Sequence, residues 1–234
     1  EKNLGDCRVD LRKYIGKTKT LEQDIVRTLL ILFHFGEEID EIELDRELKL
    51  VLRTEYYIQK LDFLLRNPDY LCYELLSEIQ DKKVTDPEEK EKIKTIVKEI
   101  FGNHEPVLRR IPMQRFLYGA YERLDEVESF LTSVDFLRVR PQGTVERIHV
   151  KNYYLTKKGY DYIEKELFLC EEIDWYNKRC LIIKRYLGYI KASDLKSRQY
   201  SHETYSQARL GATIPTIIEV VSEKFFLLFG EALV

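Results

Sequence analysis

Arg138, Arg140, Arg147, Lys151, Lys157 and Lys158 crowd one short stretch of the chain, and within residues 137–159 only Glu146 opposes them. A second stretch, 177–198, carries Lys178, Arg179, Lys184, Arg185, Lys191, Lys196 and Arg198 against Asp194. The whole 234-residue chain has a formal net charge of −3, so the remainder is acidic. A local cationic excess of this kind suits phosphate backbones. Tyr153, Tyr154, Tyr186, Tyr189 and Tyr200 are interleaved with it, and rings beside cations stack on unpaired bases. Two readings follow. Either these faces bind DNA or another nucleic acid, or they pair with the acidic N-terminal region or with a partner protein.

Other chemistry finds little support. Gly16-Lys17-Thr18 looks like the end of a phosphate-binding loop, but the position five residues before Gly16 is Leu11 rather than glycine, and no apolar strand precedes it. Residues 1–20 read as a polar, basic arm. His34, His104, His149 and His202 lie outside metal-ligand spacing of one another and of the cysteines. His34, among Leu32, Phe33 and Phe35, is expected to pack within a helix. His202 and Glu203 are neighbours that point in different directions on a helix, so both are expected at the surface. Cys7, Cys72, Cys170 and Cys180 form no CxxC pair and read as reduced thiols. Glu171 and Glu172 belong to a charged helix face. No nucleophile elbow or dinucleotide fingerprint is found. A non-enzymatic protein is expected, with no catalytic residue, no metal and no cofactor.

The elements that must position the cations follow from periodicity. Apolar residues at 25, 26, 29, 30, 32 and 33 predict a helix over 21–35, capped by Thr20 and ended by Gly36. Further helices are expected over 52–65 and 70–79, and these three together have a helix-turn-helix-like succession. Asp81 to Glu91 is charged and reads as a linker, with Thr85 or Asp86 capping the next helix and Pro87 in its first turn. That helix runs to Phe101. Pro112 is expected to open a short helix over 113–117, with Tyr118-Gly119-Ala120 as the turn into a helix over 123–134. Its apolar positions Leu124, Val127 and Leu131 should face the core, with Asp125, Glu126 and Glu128 exposed. Residues 136–140 and 145–155 alternate as strands, joined by Pro141-Gln142-Gly143-Thr144. A helix over 160–169 follows.

From about Glu88 to Lys165 the order is helix, short strand, helix, turn, helix, strand, wing, strand, helix. It ends in Tyr153-Tyr154-Leu155-Thr156-Lys157-Lys158-Gly159. This resembles the winged helix-turn-helix superfamily, and within it the wing endings of PadR and MarR regulators. The resemblance covers roughly a third of the chain. It implies that Leu155 closes the core and that Thr156 caps the following helix. It also implies DNA binding, through the second helix of the pair and the wing. Here that helix and its entry carry Glu122, Asp125, Glu126 and Glu128 against Arg123. Phosphates would be repelled there, which leaves the wing cations Arg138, Arg140, Arg147, Lys151, Lys157 and Lys158 as the contact residues.

The sequence thus predicts a mainly α chain with a small β-hairpin wing, of the α+β class. An N-terminal helical region (1–80), a winged helix-turn-helix (86–166) and a C-terminal helical region (167–234) succeed one another. The helix expected over 214–228, with Pro215 in its first turn, has apolar residues on more than one face. It is expected to join two copies as a homodimer, anchored by Phe225 or Phe226; the competing account is that the N-terminal helices cover it within one chain. The longest apolar run, Phe225 to Phe229, falls far short of the ~20 residues of a membrane span, and the first residues carry no apolar leader. A cytoplasmic DNA-associated regulator, or the nucleic-acid-facing subunit of a larger assembly, is the reading. The alternative is a protein-interaction adaptor that docks through the winged helix.

Overall fold

The computed structural model describes residues 20–39, 47–116, 119–143 and 148–233. Helix α1 (Leu21–Phe35) runs through the centre. Thr20 and Gln23 form a capping box at its start: the Thr20 hydroxyl accepts from the Gln23 amide, and the Gln23 side chain accepts from the Thr20 amide. Ile25, Val26 and Leu29 to Leu32 are all buried. A helix apolar on every side has neighbours on every side, and α1 packs against helices from both halves of the chain. A Cβ at Gly36 would lie 2.5 Å from the Leu32 carbonyl and 2.9 Å from Leu50 Cβ. Glycine therefore ends α1 where the next strand crosses it.

Two strands follow, β1 (Glu37–Glu38) and β2 (Leu48–Leu52). The expected helix over 52–65 starts later, as α2 (Glu55–Arg66), because the Thr54 hydroxyl accepts from the Tyr57 amide and fixes the cap there. Helix α3 (Pro68–Gln80) and helix α4 (Pro87–Gly102) come next. Asp86 caps α4 by accepting from the Glu88 amide at 3.2 Å, with Pro87 behind it.

The segment 105–120 departs from expectation. A short helix α5 (Glu105–Leu108) follows α4. The helix expected over 113–117 is absent. Instead β3 (Arg115–Phe116) pairs with β4 (Gly119–Ala120). Backbone groups that a helix would satisfy internally are satisfied by a distant segment: the Arg115 amide donates to Ala212, and the Gly211 and Ile214 amides donate to Arg115 and Met113. Buried backbone groups need partners of some kind, and here residues 211–214 supply them.

Helix α6 (Asp125–Ser133) leads into β5 (Leu137–Gly143), β6 (Ile148–Thr156) and α7 (Lys157–Lys165). Pro141, Gln142 and Gly143, expected in the turn, extend β5. The four-stranded sheet has the order β1-β2-β6-β5 and is antiparallel throughout. Strand alternation divides its side chains. Leu52, Leu137, Tyr153 and Leu155 join the main core on one face, while Leu48, Val51 and Tyr154 form a small cluster with Ile39. The strands expected to form a wing within 86–166 therefore share their sheet with β2 of the N-terminal region.

The remaining helices are α8 (Glu171–Leu187), α9 (Ala192–Ser201), α10 (Glu203–Gln207) and α11 (Ile218–Phe229). Helix α11 starts four residues later than expected, and Pro215 lies outside it. The start of α3 captures that stretch: Asp69 accepts from the Ile217 amide at 2.8 Å, and the Tyr70 hydroxyl donates to the Pro215 carbonyl at 3.1 Å. One continuous apolar cluster reaches from Ile25 to Leu233.

Candidate nucleic-acid interface

Arg138 stands opposite Tyr154 across the β5–β6 pair. Two residues on, the Arg140 guanidinium lies 5.0 Å from the centre of the Tyr154 ring, within cation–π range. Period-two alternation puts all three on the outer side of the sheet. Arg138 also approaches Asp135 at 3.6 Å. Lys157 and Lys158 follow at the exposed start of α7, and the Lys158 ammonium lies 5.8 Å from the Phe136 ring centre.

The turn from β6 into α7 is tightly built. Thr156 donates to the Asp135 carbonyl at 2.7 Å and accepts from the Gly159 amide at 3.0 Å. Leu155 is fully buried. A Cβ at Gly159 would meet the Phe136 carbonyl oxygen at 2.6 Å, so only glycine fits. The Leu-Thr-Lys-Lys-Gly ending thus closes the core and caps α7 in the expected way, and it fixes where both lysines emerge. Arg147 lies outside the described residues.

Lys151 does not share that outer side. It alternates with Asn152 onto the face of Tyr153, 3.1 Å from both Glu128 carboxylate oxygens and 3.8 Å from Glu55. Burial opposes its charge, but the Glu128 hydrogen bond, with Glu55 and Asp125 beyond, raises its pKa. Its charge is answered within the chain. The buried Tyr153 hydroxyl donates to the same Glu128 at 2.6 Å. Glu128 is therefore a half-buried acceptor for strand β6 rather than the exposed acid expected from the helix pattern. Leu124, Val127 and Leu131 are buried, and Asp125 and Glu126 are exposed, as the periodicity required. Sequence reasoning missed the Glu128–Lys151–Tyr153 cluster. Its available signal was the alternation that puts residues 151 and 153 on one face.

The second basic stretch is largely consumed by internal pairs. Arg179 meets Glu105 at 2.8 Å in the interior. Arg185 meets Glu89 at 2.7 Å, and Lys178 meets Asp174 at 2.5 Å. Arg198 reaches Glu74 and Glu78 at 3.0 and 2.7 Å. For these residues, pairing with acids elsewhere in the chain accounts for the charge excess. Lys184 and Lys191 are exposed.

His34 packs in α1 as expected, with Nε2 2.8 Å from Asn177 Oδ1, and burial lowers its pKa. His202 differs from expectation. It is buried between the rings of Tyr70 and Tyr73, 3.6 Å from Glu74, while Glu203 is exposed. Cys72, Cys170 and Cys180 are buried free thiols. Phe225, one of the two expected interface anchors, is fully buried within its own chain, on α11 where that helix packs against α3. Phe226, one residue on, is 56% exposed.

These features define a mostly helical α+β protein with a four-stranded antiparallel sheet, a two-stranded β3–β4 pair and a basic outer face on β5 and β6. Set against known proteins, the chain matches no family model, no curated protein and no solved structure. Among the described residues no helix is long and apolar enough to cross a membrane.

Proposed function

We propose that this protein is a non-enzymatic, DNA-associated binding protein, built on a winged-helix core and contacting nucleic acid through the outer side of β5 and β6. The observation that carries this reading is the set Arg138, Arg140 and Tyr154 on one face, continued by Lys157 and Lys158 at the start of α7. Element order supports the core: α1, β2 and α2 are followed, after α3 to α5, by α6, β5, β6 and α7. With α3 to α5, β3 and β4 as an insertion, that order resembles a winged-helix succession begun at α1 rather than near residue 88. Cations aligned along one strand face suit a phosphate backbone, and the Tyr154 ring, itself buried, serves to hold Arg140 in place.

Replacing Arg138, Arg140, Lys157 and Lys158 together by Ala is expected to weaken duplex binding similarly across sequences. The slope of log affinity against log salt should flatten by about 0.9 for each phosphate no longer neutralised. Gel-shift titrations at two salt concentrations measure both quantities. Unchanged affinity removes the wing from the interface.

A second reading, a protein-interaction adaptor, is favoured by α6. Its exposed Asp125 and Glu126 would repel phosphates where a recognition helix meets the major groove. Absence of both duplex and single-strand binding at low salt selects this reading.

Self-association belongs to the proposal too, with Phe226 as the anchor, supported by its exposure beside Leu227, which is 77% exposed, on α11. Sedimentation at micromolar concentration is expected to give a dimer, and Phe226→Glu a folded monomer. A monomeric unmodified protein ends the dimer idea.

A further inference from the structure

A groove of about 730 Å³ opens where the first turn of α1, the first turn of α6 and the β3–β4 hairpin meet. Three of its lining side chains are large, apolar and exposed: Leu21 at 37%, Phe116 at 42% and Tyr121 at 38%. Phe116 and Tyr121 meet edge to face at 6.0 Å. Buried Met113 and Val127 contribute apolar surface to the lining. Isolated exposed apolar residues are ordinary, but a contiguous set marks a contact surface.

The charge of the groove is one-sided. Asp24, Glu122, Asp125 and Glu126 line it against Arg123. Asp24 and Glu122 are engaged by buried Arg27 and Arg66. Asp125 and Glu126 are exposed and enter no ion pair among the described residues. Tyr121 registers the local field. Burial comes first, then Glu55, Asp125 and Glu128, and together they push its hydroxyl pKa up to about 12. Acids in a first helical turn also favour the helix dipole. That accounts for acids on α6, but not for their meeting three exposed apolar side chains in one concavity.

We infer that this groove docks a basic segment of a partner protein, its Lys or Arg side chains facing Asp125 and Glu126 and an apolar or aromatic anchor set against Phe116, Tyr121 and Leu21. The sign of the rim selects this partner. A nucleic-acid backbone would be repelled, and an acidic peptide likewise, whereas opposite charges steer and orient a basic one. A buried aromatic anchor supplies most of the affinity in contacts of this size. The inference does not depend on the wing binding nucleic acid.

The probe is a fluorescein-labelled hexapeptide with a central Phe flanked by Lys and Arg, titrated with the full chain at low salt and read by fluorescence polarisation. Saturable binding is expected, weakening as salt rises. The pair Asp125→Lys and Glu126→Lys should weaken it roughly tenfold or more, and so should Phe116→Ser, with circular dichroism unchanged because all three positions are exposed. Exchanging the central Phe of the peptide for Ser should have a similar effect. No saturation by about 1 mM, or equal affinity for the charge-reversed variant, overturns the inference. A dimer that Phe116→Ser converts to monomer also overturns it, by giving the groove to a second copy. Because the wing is read separately, by duplex binding of its Ala variant, failure here leaves that reading standing.

Discussion

Asp62→Ala is expected to lower the unfolding free energy by about 3–5 kcal/mol, the cost of breaking a buried ion pair by removing one partner. Asp62 sits on α2 between two arginines that are almost wholly buried. Its Oδ1 lies 2.6 Å from Arg27 Nε, and its Oδ2 lies 3.2 Å from Arg66 Nη1. Arg27 has Asp24 as its other carboxylate, and Arg66 has Glu122. Arg66 also donates to the Ile111 and Pro112 carbonyls. The network thus ties α1 and α2 to the segment entering the β3–β4 hairpin. Without Asp62, two buried guanidinium groups lose their shared counter-charge. Asn at this position keeps an acceptor but no charge, so Asp62→Asn should recover only part of the loss.

The same group sets an acid limit. Burial pushes the Asp62 carboxyl up, but Arg27 and then Arg66 outweigh it and hold the pKa below the ordinary value. A depressed folded pKa stabilises above the unfolded value, and that contribution is lost as pH falls through the folded one. Urea unfolding of both variants at neutral pH and near pH 3 measures the effect. A loss under about 1 kcal/mol at neutral pH, the size of a solvated surface pair, would contradict the account.

Lys60→Met is expected to stabilise the protein near neutral pH and to remove a rise in stability with pH. Lys60 is buried, and its ammonium donates to Gln199 Oε1 at 2.7 Å. It lies 4.9 Å from the Tyr56 ring centre, and Glu74 and Tyr70 line the same small cavity. No carboxylate pairs with it among the described residues. Glu74 is taken by Arg198 and approached by His202. Burial first, and then Lys196 on α9, lower the Lys60 pKa to about 7.

Between about 7 and the unfolded value near 10.5, the unfolded chain holds a proton that the folded chain lacks. Stability then rises with pH by up to about 1.4 kcal/mol per unit, and the contribution is flat below 7. Burial raises the Cys72 and Cys180 thiols, which acts in the opposite direction at alkaline pH. The difference between wild type and variant is therefore the quantity to follow. From pH 7.5 to 8.5 wild type should gain about 1 kcal/mol on the variant. Met removes the buried amine but leaves Gln199 without its donor, a cost of about 1–3 kcal/mol. The net gain at pH 7 is accordingly smaller than the full desolvation of Lys60. Parallel pH profiles for the two proteins would show that Lys60 is not the titrating group.

Local chemistry in the sequence determined where many elements begin and end. Thr20 with Gln23, Asp86 with Pro87, and Thr156 with Gly159 act over three residues or fewer, so their caps were legible without a partner. The inward face of α6 was legible too, because Leu124, Val127 and Leu131 repeat at helical spacing. Tertiary structure decided the rest. Leu48 to Leu52 is a strand because β6, about a hundred residues later, offers it a ladder. Residues 113–116 depart from the expected helix because 211–214 supply their hydrogen bonds. Phe225 and Phe226 differ in exposure because only one faces inward on α11, which packs against α3. The candidate interface divides in the same way. Along the sequence Lys151, Arg179 and Arg198 count toward a local cationic excess, yet their carboxylates lie 23, 74 and 124 residues away. A charge count along the chain records how many cations a segment carries. Which of them stay available to a ligand depends on the acids that folding brings within about 4 Å, and those distances exist only in the folded chain.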